Sequence, residues 1–192
     1  MLDFAEANKK YGLKWIYGHM SPIQQRWLYD RATMLPKDAT AVEIGILHGR
    51  TTCTIMAGIA ESGNGANLVC VEWFGNKKDR ALKSARGPWD WNLRMRKLAE
   101  PLLFIGNSSD PKLVAKMLDG SLAWMFIDGG HKTHVLTADI RAWHPKLKPG
   151  GLMSGHDWQM ENVRAAVKAC YEKAANPVGG IWTIPKGARL LP

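Results

Sequence analysis

No stretch of the chain reaches the roughly 18 consecutive apolar residues that a membrane-spanning helix needs, and Met1-Leu2-Asp3-Phe4-Ala5-Glu6 lacks the basic-then-apolar order of a secretory leader. Both absences lead to the expectation of a cytoplasmic protein with no membrane partner. Cysteine is scarce. Cys53, Cys70 and Cys170 are odd in number, far apart and set in apolar or helical pattern, so they read as small buried thiols rather than a disulfide or metal ligands. The three-glycine G-x-G-x-x-G loop of dinucleotide sites is absent, and so is the Gly-Lys-Ser/Thr of a phosphate-cradling loop. There is no internal repeat and no low-complexity segment. With 192 residues, 46% hydrophobic and 22% charged, the chain fits a single domain spanning 1–192.

Acids are the scarcer sign of charge, 17 against 26 lysines and arginines, for a formal net charge of +9. The excess is concentrated. Lys77, Lys78, Arg80, Lys83, Arg86, Arg94, Arg96 and Lys97 are offset only by Asp79 and Asp90, a local +6. The same segment, 74–97, carries Gly87-Pro88-Trp89-Asp90-Trp91, a breaker beside two large aromatics. It reads either as a solvated basic loop or as a lid-like insertion over an anionic ligand, with Trp89 or Trp91 as a stacking surface. The charge favours an anionic small molecule first and nucleic acid second.

Ser21-Pro22 has the form of an N-cap with proline at the first helical position, and Ile23, Trp27, Leu28, Ala32 and Leu35 follow at helical spacing. Residues 1–36 are therefore expected to be a helical segment ahead of the sheet. Apolar runs at 41–44, 68–72, 102–106, 123–127 and 152–154 predict five strands. Between them, helices are expected over 51–60, from Asp110-Pro111 through Leu118, through Leu136, Ile140 and Trp143, and through Val163, Ala166, Val167 and Cys170. The runs 181–184 and 188–191, joined by Pro185-Lys186-Gly187, suggest a closing hairpin. This alternation predicts an α/β fold, a single doubly wound and mostly parallel sheet with an antiparallel strand near the C-terminus.

The most informative segment is Val42-Glu43-Ile44-Gly45-Ile46-Leu47-His48-Gly49-Arg50-Thr51, a buried strand, a glycine turn and a helix start. A glutamate just before the first glycine repels a pyrophosphate but attracts an ammonium group, directly or through water. Glu72, ending the second strand, is placed to accept hydrogen bonds from ribose hydroxyls. Together they suit a cofactor with an amino acid end and a ribose but no phosphate. Two further strands run into loops that carry an acid and a histidine: Met125-Phe126-Ile127-Asp128-Gly129-Gly130-His131, and Leu152-Met153-Ser154-Gly155-His156-Asp157. In an open parallel sheet such loops gather at the carboxyl edge, where ligands bind. Asp139 either braces that site from its helix or lies on a solvated face, and His48 reads as a loop residue.

Over roughly residues 20–175 these motifs, with Val71-Glu72-Trp73 and Leu147-Lys148-Pro149-Gly150-Gly151, resemble class I S-adenosylmethionine-dependent methyltransferases of Rossmann-like fold. Within them the chain is similar to the small metal-dependent O-methyltransferases that include macrocin-type sugar methyltransferases and cephalosporin hydroxylase-like proteins. The resemblance implies that Glu43, Gly45, Gly49 and Thr51 line the methionine end of S-adenosylmethionine, that Glu72 holds the ribose, and that Trp73 covers the adenine, flanked by Asn107, Ser108 and Ser109. It implies that Asp128 sits under the sulfonium and, with Asp157 and His156, binds Mg²⁺ or another divalent ion, and that His131 is the general base. Imidazole at His156, where relatives carry an acid, favours Mn²⁺, Fe²⁺ or Zn²⁺ over Mg²⁺. The implied reaction is O-methylation of a small molecule, a sugar or an anionic metabolite. The competing expectations are a nucleic-acid-modifying methyltransferase, a non-catalytic cofactor-binding module and a dehydrogenase. Little chain remains to cover the acceptor, so the pocket is either open or completed by a second subunit in a homodimer.

Overall fold

The computed structural model describes all residues except 75–79, 174–177 and 185–186, and leaves aside the side chains of 80–84. Lys77, Lys78 and Asp79 of the basic segment lie outside the described residues, as do Pro185 and Lys186 of the expected hairpin turn.

Six strands form one sheet: β1 (Thr40–Ile44), β2 (Asn67–Glu72), β3 (Leu102–Ile105), β4 (Leu122–Ile127), β5 (Leu147–Gly155) and β6 (Trp182–Thr183). Their order is β3-β2-β1-β4-β5-β6, parallel throughout except for β6, which runs antiparallel to β5. The central strands are buried on both faces, as their unbroken apolar runs require. The chain reverses its direction of winding at β1, so the carboxyl ends of β1 and β4 open a crevice between the loops that leave them.

Helices cover both faces. On one side lie α1 (Phe4–Tyr11), α2 (Pro22–Thr33), α3 (Arg50–Ser62) and α4 (Arg80–Met95); on the other lie α5 (Pro111–Val114), α6 (Thr133–Trp143) and α7 (Glu161–Cys170). The three cysteines are free and buried in these layers. Among the described residues no helix is long and apolar enough to cross a membrane.

Four local expectations change. Helix α1 has a full capping box from Asp3 and Glu6 and ends on Gly12 in the left-handed region, a signature legible in Asp3-x-x-Glu6. Helix α4 occupies most of the basic segment and runs through Pro88 despite the backbone bond that proline removes. Burial of Trp89 and Leu93 in the core on the α3 side of the sheet offsets that loss. Trp89 is wholly buried and so is not a stacking surface, whereas Trp91 is exposed. Helix α5 stops at Val114 rather than continuing to Leu118, which is exposed. Among the described residues no strand pairing joins 181–184 to 188–191: β6 pairs with β5, while Leu191 N–H donates to the Cys170 carbonyl and Arg141 donates to the carbonyls of Leu191 and Pro192.

Candidate functional site

A cavity of about 1100 Å³ opens over the carboxyl ends of β1, β2, β3 and β4. Its floor begins with the glycine loop. Gly45 has φ +85°, and a Cβ there would lie 2.3 Å from the Asp128 carbonyl oxygen and 2.8 Å from Gly129 Cα. Glycine is therefore what allows the loops after β1 and β4 to touch. Gly49 (φ +86°) caps α3, and a Cβ on it would meet Trp89 at 2.8 Å. Leu47, between them, is held at φ 42°, a left-handed backbone unusual for a branched side chain. The backbone from Ile44 to His48 and the buried Thr51 side chain line the cavity.

Glu43 lies behind this wall instead of on it. Its carboxylate is wholly buried and accepts from Thr52 Oγ1 at 2.7 Å and Cys70 Sγ at 3.5 Å, and Trp89 Nε1 donates to Thr52 Oγ1 at 3.2 Å. These bonds make Glu43 a brace joining β1, α3, β2 and α4. Burial pushes the Glu43 pKa up to about 8. The folded state therefore holds the proton more tightly than the unfolded chain. Stability is complete below the unfolded pKa near 4.5 and falls as pH rises toward 8. The full loss is at most roughly 5 kcal/mol. Glu43→Gln is accordingly expected to match the wild type in urea unfolding near pH 5 and to exceed it by several kcal/mol at pH 8.5; parallel curves at both pH values would refute the neutral, buried Glu43.

At the end of β2, Glu72 Oε2 accepts from Ile46 N–H at 2.9 Å and Oε1 from Trp73 N–H at 2.7 Å, so its carboxylate is fixed at the cavity edge between two loops. Trp73 is 52% exposed and forms part of the wall. Asn107, Ser108 and Ser109 line the next sector, after β3. Ser109 N–H and its hydroxyl both donate to Asn107 Oδ1, at 3.2 and 3.1 Å.

Opposite them sits an acid–histidine cluster. Asp128 N–H donates to the Ile44 carbonyl, which fixes the start of its loop. His131 Nε2 is 2.7 Å from Asp157 Oδ2, and His156 Nδ1 lies 3.2 Å from Asp128 Oδ1 and 3.3 Å from Asp157 Oδ1. Asp157 adopts φ 60°, a left-handed conformation at the strand end that turns its carboxylate toward both histidines. Burial opposes charge on His156, but the two carboxylates outweigh it and push its pKa up to about 10. Burial raises Asp157 as well, yet the bonds from both histidines hold it well below the usual carboxylate range. Burial raises Asp128. The bond to Asp157 raises His131.

One ligand atom each from Asp128, His131 and Asp157 fall within 4.8 Å of one another, a spacing that suits one divalent ion. This differs by one member from the set that the resemblance implied. His156 is nearly buried with Nδ1 at the two carboxylates, whereas His131 is half-exposed, and both line the cavity.

Other wall residues carried no readable motif. Tyr17, His19 and His48 form an aromatic group, Tyr17 lying 5.1 Å from His48 and 5.7 Å from His19 between ring centroids. Arg50 pins this wall by donating to the Gly18 carbonyl at 2.7 Å, and Asn92 of α4 donates to the His48 carbonyl at 2.9 Å. Five of the six histidines of the chain line the cavity, a clustering that only the three-dimensional fold creates.

A family model described as "Methyltransferase domain" matches residues 42–158, from β1 to just past Asp157. No curated protein matches the sequence. Among solved structures, the O-methyltransferase from Bacillus cereus in complex with SAH superposes with a TM-score of 0.64 at 15% identity, covering 93% of this chain and 88% of that one. The O-methyltransferase NovP gives 0.67 at 14% identity, covering 85% and 79%. The MycE methyltransferase from the mycinamycin biosynthetic pathway, in complex with Mg and SAH, gives 0.59 at 12% identity; it covers 97% of this chain, which spans 55% of MycE. At such identities the likeness is one of fold.

Proposed function

The chain belongs to the methyltransferase-domain family and is a class I S-adenosylmethionine-dependent methyltransferase, and on that premise we propose that it methylates a hydroxyl oxygen of a small molecule, a sugar or an anionic metabolite. The observation that carries this reading is the convergence, in one cavity, of Glu72 at one end and the Asp128–His131–Asp157 group at the other. The donor set suits the cofactor. A fixed carboxylate faces where ribose hydroxyls would donate, and a glycine cradle lets the methionine end approach backbone. Bound S-adenosylmethionine supplies an electrophilic methyl group on a sulfonium.

The chain then has to orient the acceptor and take its proton. His131 is suited to the second task, because Asp157 holds its Nε2 and leaves Nδ1 as the free ring nitrogen. The same carboxylate makes the imidazole more basic. The exposed Tyr17 ring, pinned through Arg50 and backed by His48, offers a flat surface for the apolar face of a sugar or another ring. The cations Lys132 and Arg50 among the lining residues favour an acidic substituent on that acceptor.

A second reading, with metal assistance, is favoured by the ligand spacing. Asp128, His131 and Asp157 would hold a divalent ion, which would lower the pKa of a bound hydroxyl. MycE, described with Mg, makes Mg²⁺ the first ion to try. Incubation with methyl-labelled cofactor and a panel of uronic acids, neutral sugars and hydroxylated aromatic acids tests the proposal. Label is expected on oxygen, as an O-methyl carbon resonance, and more readily on acidic than on neutral acceptors. Label recovered only on nitrogen or on nucleic acid would overturn it.

A further inference from the structure

Asp139 is unused by this account, although it is 1% exposed on α6 directly behind the cavity wall. It is not on a solvated face. Ser108 Oγ donates to Asp139 Oδ1 at 2.6 Å, and one helical turn later Trp143 Nε1 donates to the Ser108 carbonyl at 2.7 Å. Helix α6 thus grips one loop serine twice, at i and i+4. Burying a carboxylate is costly, and Asp139 Oδ2 has no partner among the described residues. Burial pushes its pKa up to about 6. A loop serine that only closed a turn would not need such a partner.

A serine hydroxyl has a single proton. Once that proton is committed to Asp139, what remains of Ser108 Oγ toward the cavity is lone pairs. The resemblance to class I methyltransferases implies that the adenine lies against Asn107, Ser108 and Ser109, and these residues line the same cavity as Glu72, after the strand next to β2. The exocyclic amine of adenine is a donor only, and hypoxanthine presents a carbonyl oxygen at that position.

We propose that Asp139 is a positioning residue that fixes Ser108 as an acceptor-only contact, so that the site selects the adenine amine of the cofactor over a purine bearing an oxo group. This rests on the S-adenosylmethionine reading of the cavity.

Calorimetric dissociation constants for S-adenosylhomocysteine and S-inosylhomocysteine test it on the wild type, Asp139→Asn and Ser108→Ala. The wild type is expected to prefer the adenine compound by roughly tenfold or more, as a site built around one buried hydrogen bond does. In Asp139→Asn the ratio is expected to fall within about threefold, because a carboxamide can donate to the Ser108 oxygen and free its hydroxyl proton for the cavity. Ser108→Ala, at a partly buried position, should lower the ratio too and serves if the substitution at Asp139 prevents folding. A purely structural brace would weaken both ligands alike and leave the ratio unchanged, which overturns the proposal. Tight S-adenosylhomocysteine binding with an insensitive ratio defeats this inference alone; absence of binding to the wild type defeats the cofactor reading and the inference with it.

Discussion

Replacing Gly45 by alanine is expected to destabilise the fold by about 3 kcal/mol or more and to abolish S-adenosylhomocysteine binding. Two independent costs combine. The backbone at φ +85° is strained for any L side chain, and the added methyl would lie 2.3 Å from a backbone carbonyl that cannot rotate away. Relief requires separating the loop after β1 from the loop after β4. The Asp128 N–H bond to the Ile44 carbonyl and the placement of Asp128 are lost with that separation. Thermal unfolding should show a midpoint lowered by roughly 6–12 °C for a chain of this size, and calorimetry no binding heat. A variant of wild-type stability and affinity would mean that the two loops do not touch as described.

Asp157→Asn is expected to act in the opposite pattern. Asparagine tolerates the left-handed backbone at φ 60°, so the fold should form and S-adenosylhomocysteine affinity stay within about threefold, while loss of the charged partner of His131 and His156 lowers stability by about 1–3 kcal/mol. Methyl transfer should fall by on the order of 10³, because His131 loses the carboxylate that orients it and raises its basicity. Titration with Mn²⁺ separates the two mechanistic readings. A wild-type binding heat that disappears in the variant supports a metal held by the acid–histidine group, whereas transfer that is equally fast with and without metal and chelator supports the His131–Asp157 pair acting alone. Full activity of Asp157→Asn would remove Asp157 from either mechanism.

The sheet was readable because its parallel strands are buried on both faces and therefore appear as continuous apolar runs between helical periods. The site residues were readable wherever they follow such runs, as Glu72, Asp128 and Asp157 do. Other features depend on contacts that no local pattern records. Helix α4 continues through Gly87-Pro88 because Trp89 and Leu93 fill space under α3. Glu43 lies in such a run too, but its bonds to Thr52 and Cys70, from two other elements, have no local signal. His131 and His156 are 25 positions apart, and the register of β4 with β5 brings both to Asp157. The aromatic wall of Tyr17, His19 and His48 joins the loop ahead of α2 to the glycine loop, a pairing without any sequence signal.

The central claim is that this cavity binds S-adenosylmethionine through Glu72, and calorimetric titration with S-adenosylhomocysteine tests it without knowledge of the acceptor. Micromolar binding to the wild type is expected, with at least a hundredfold loss, about 2.7 kcal/mol, in Glu72→Ala. Absence of binding to the folded wild type, or undiminished affinity in Glu72→Ala, would contradict it.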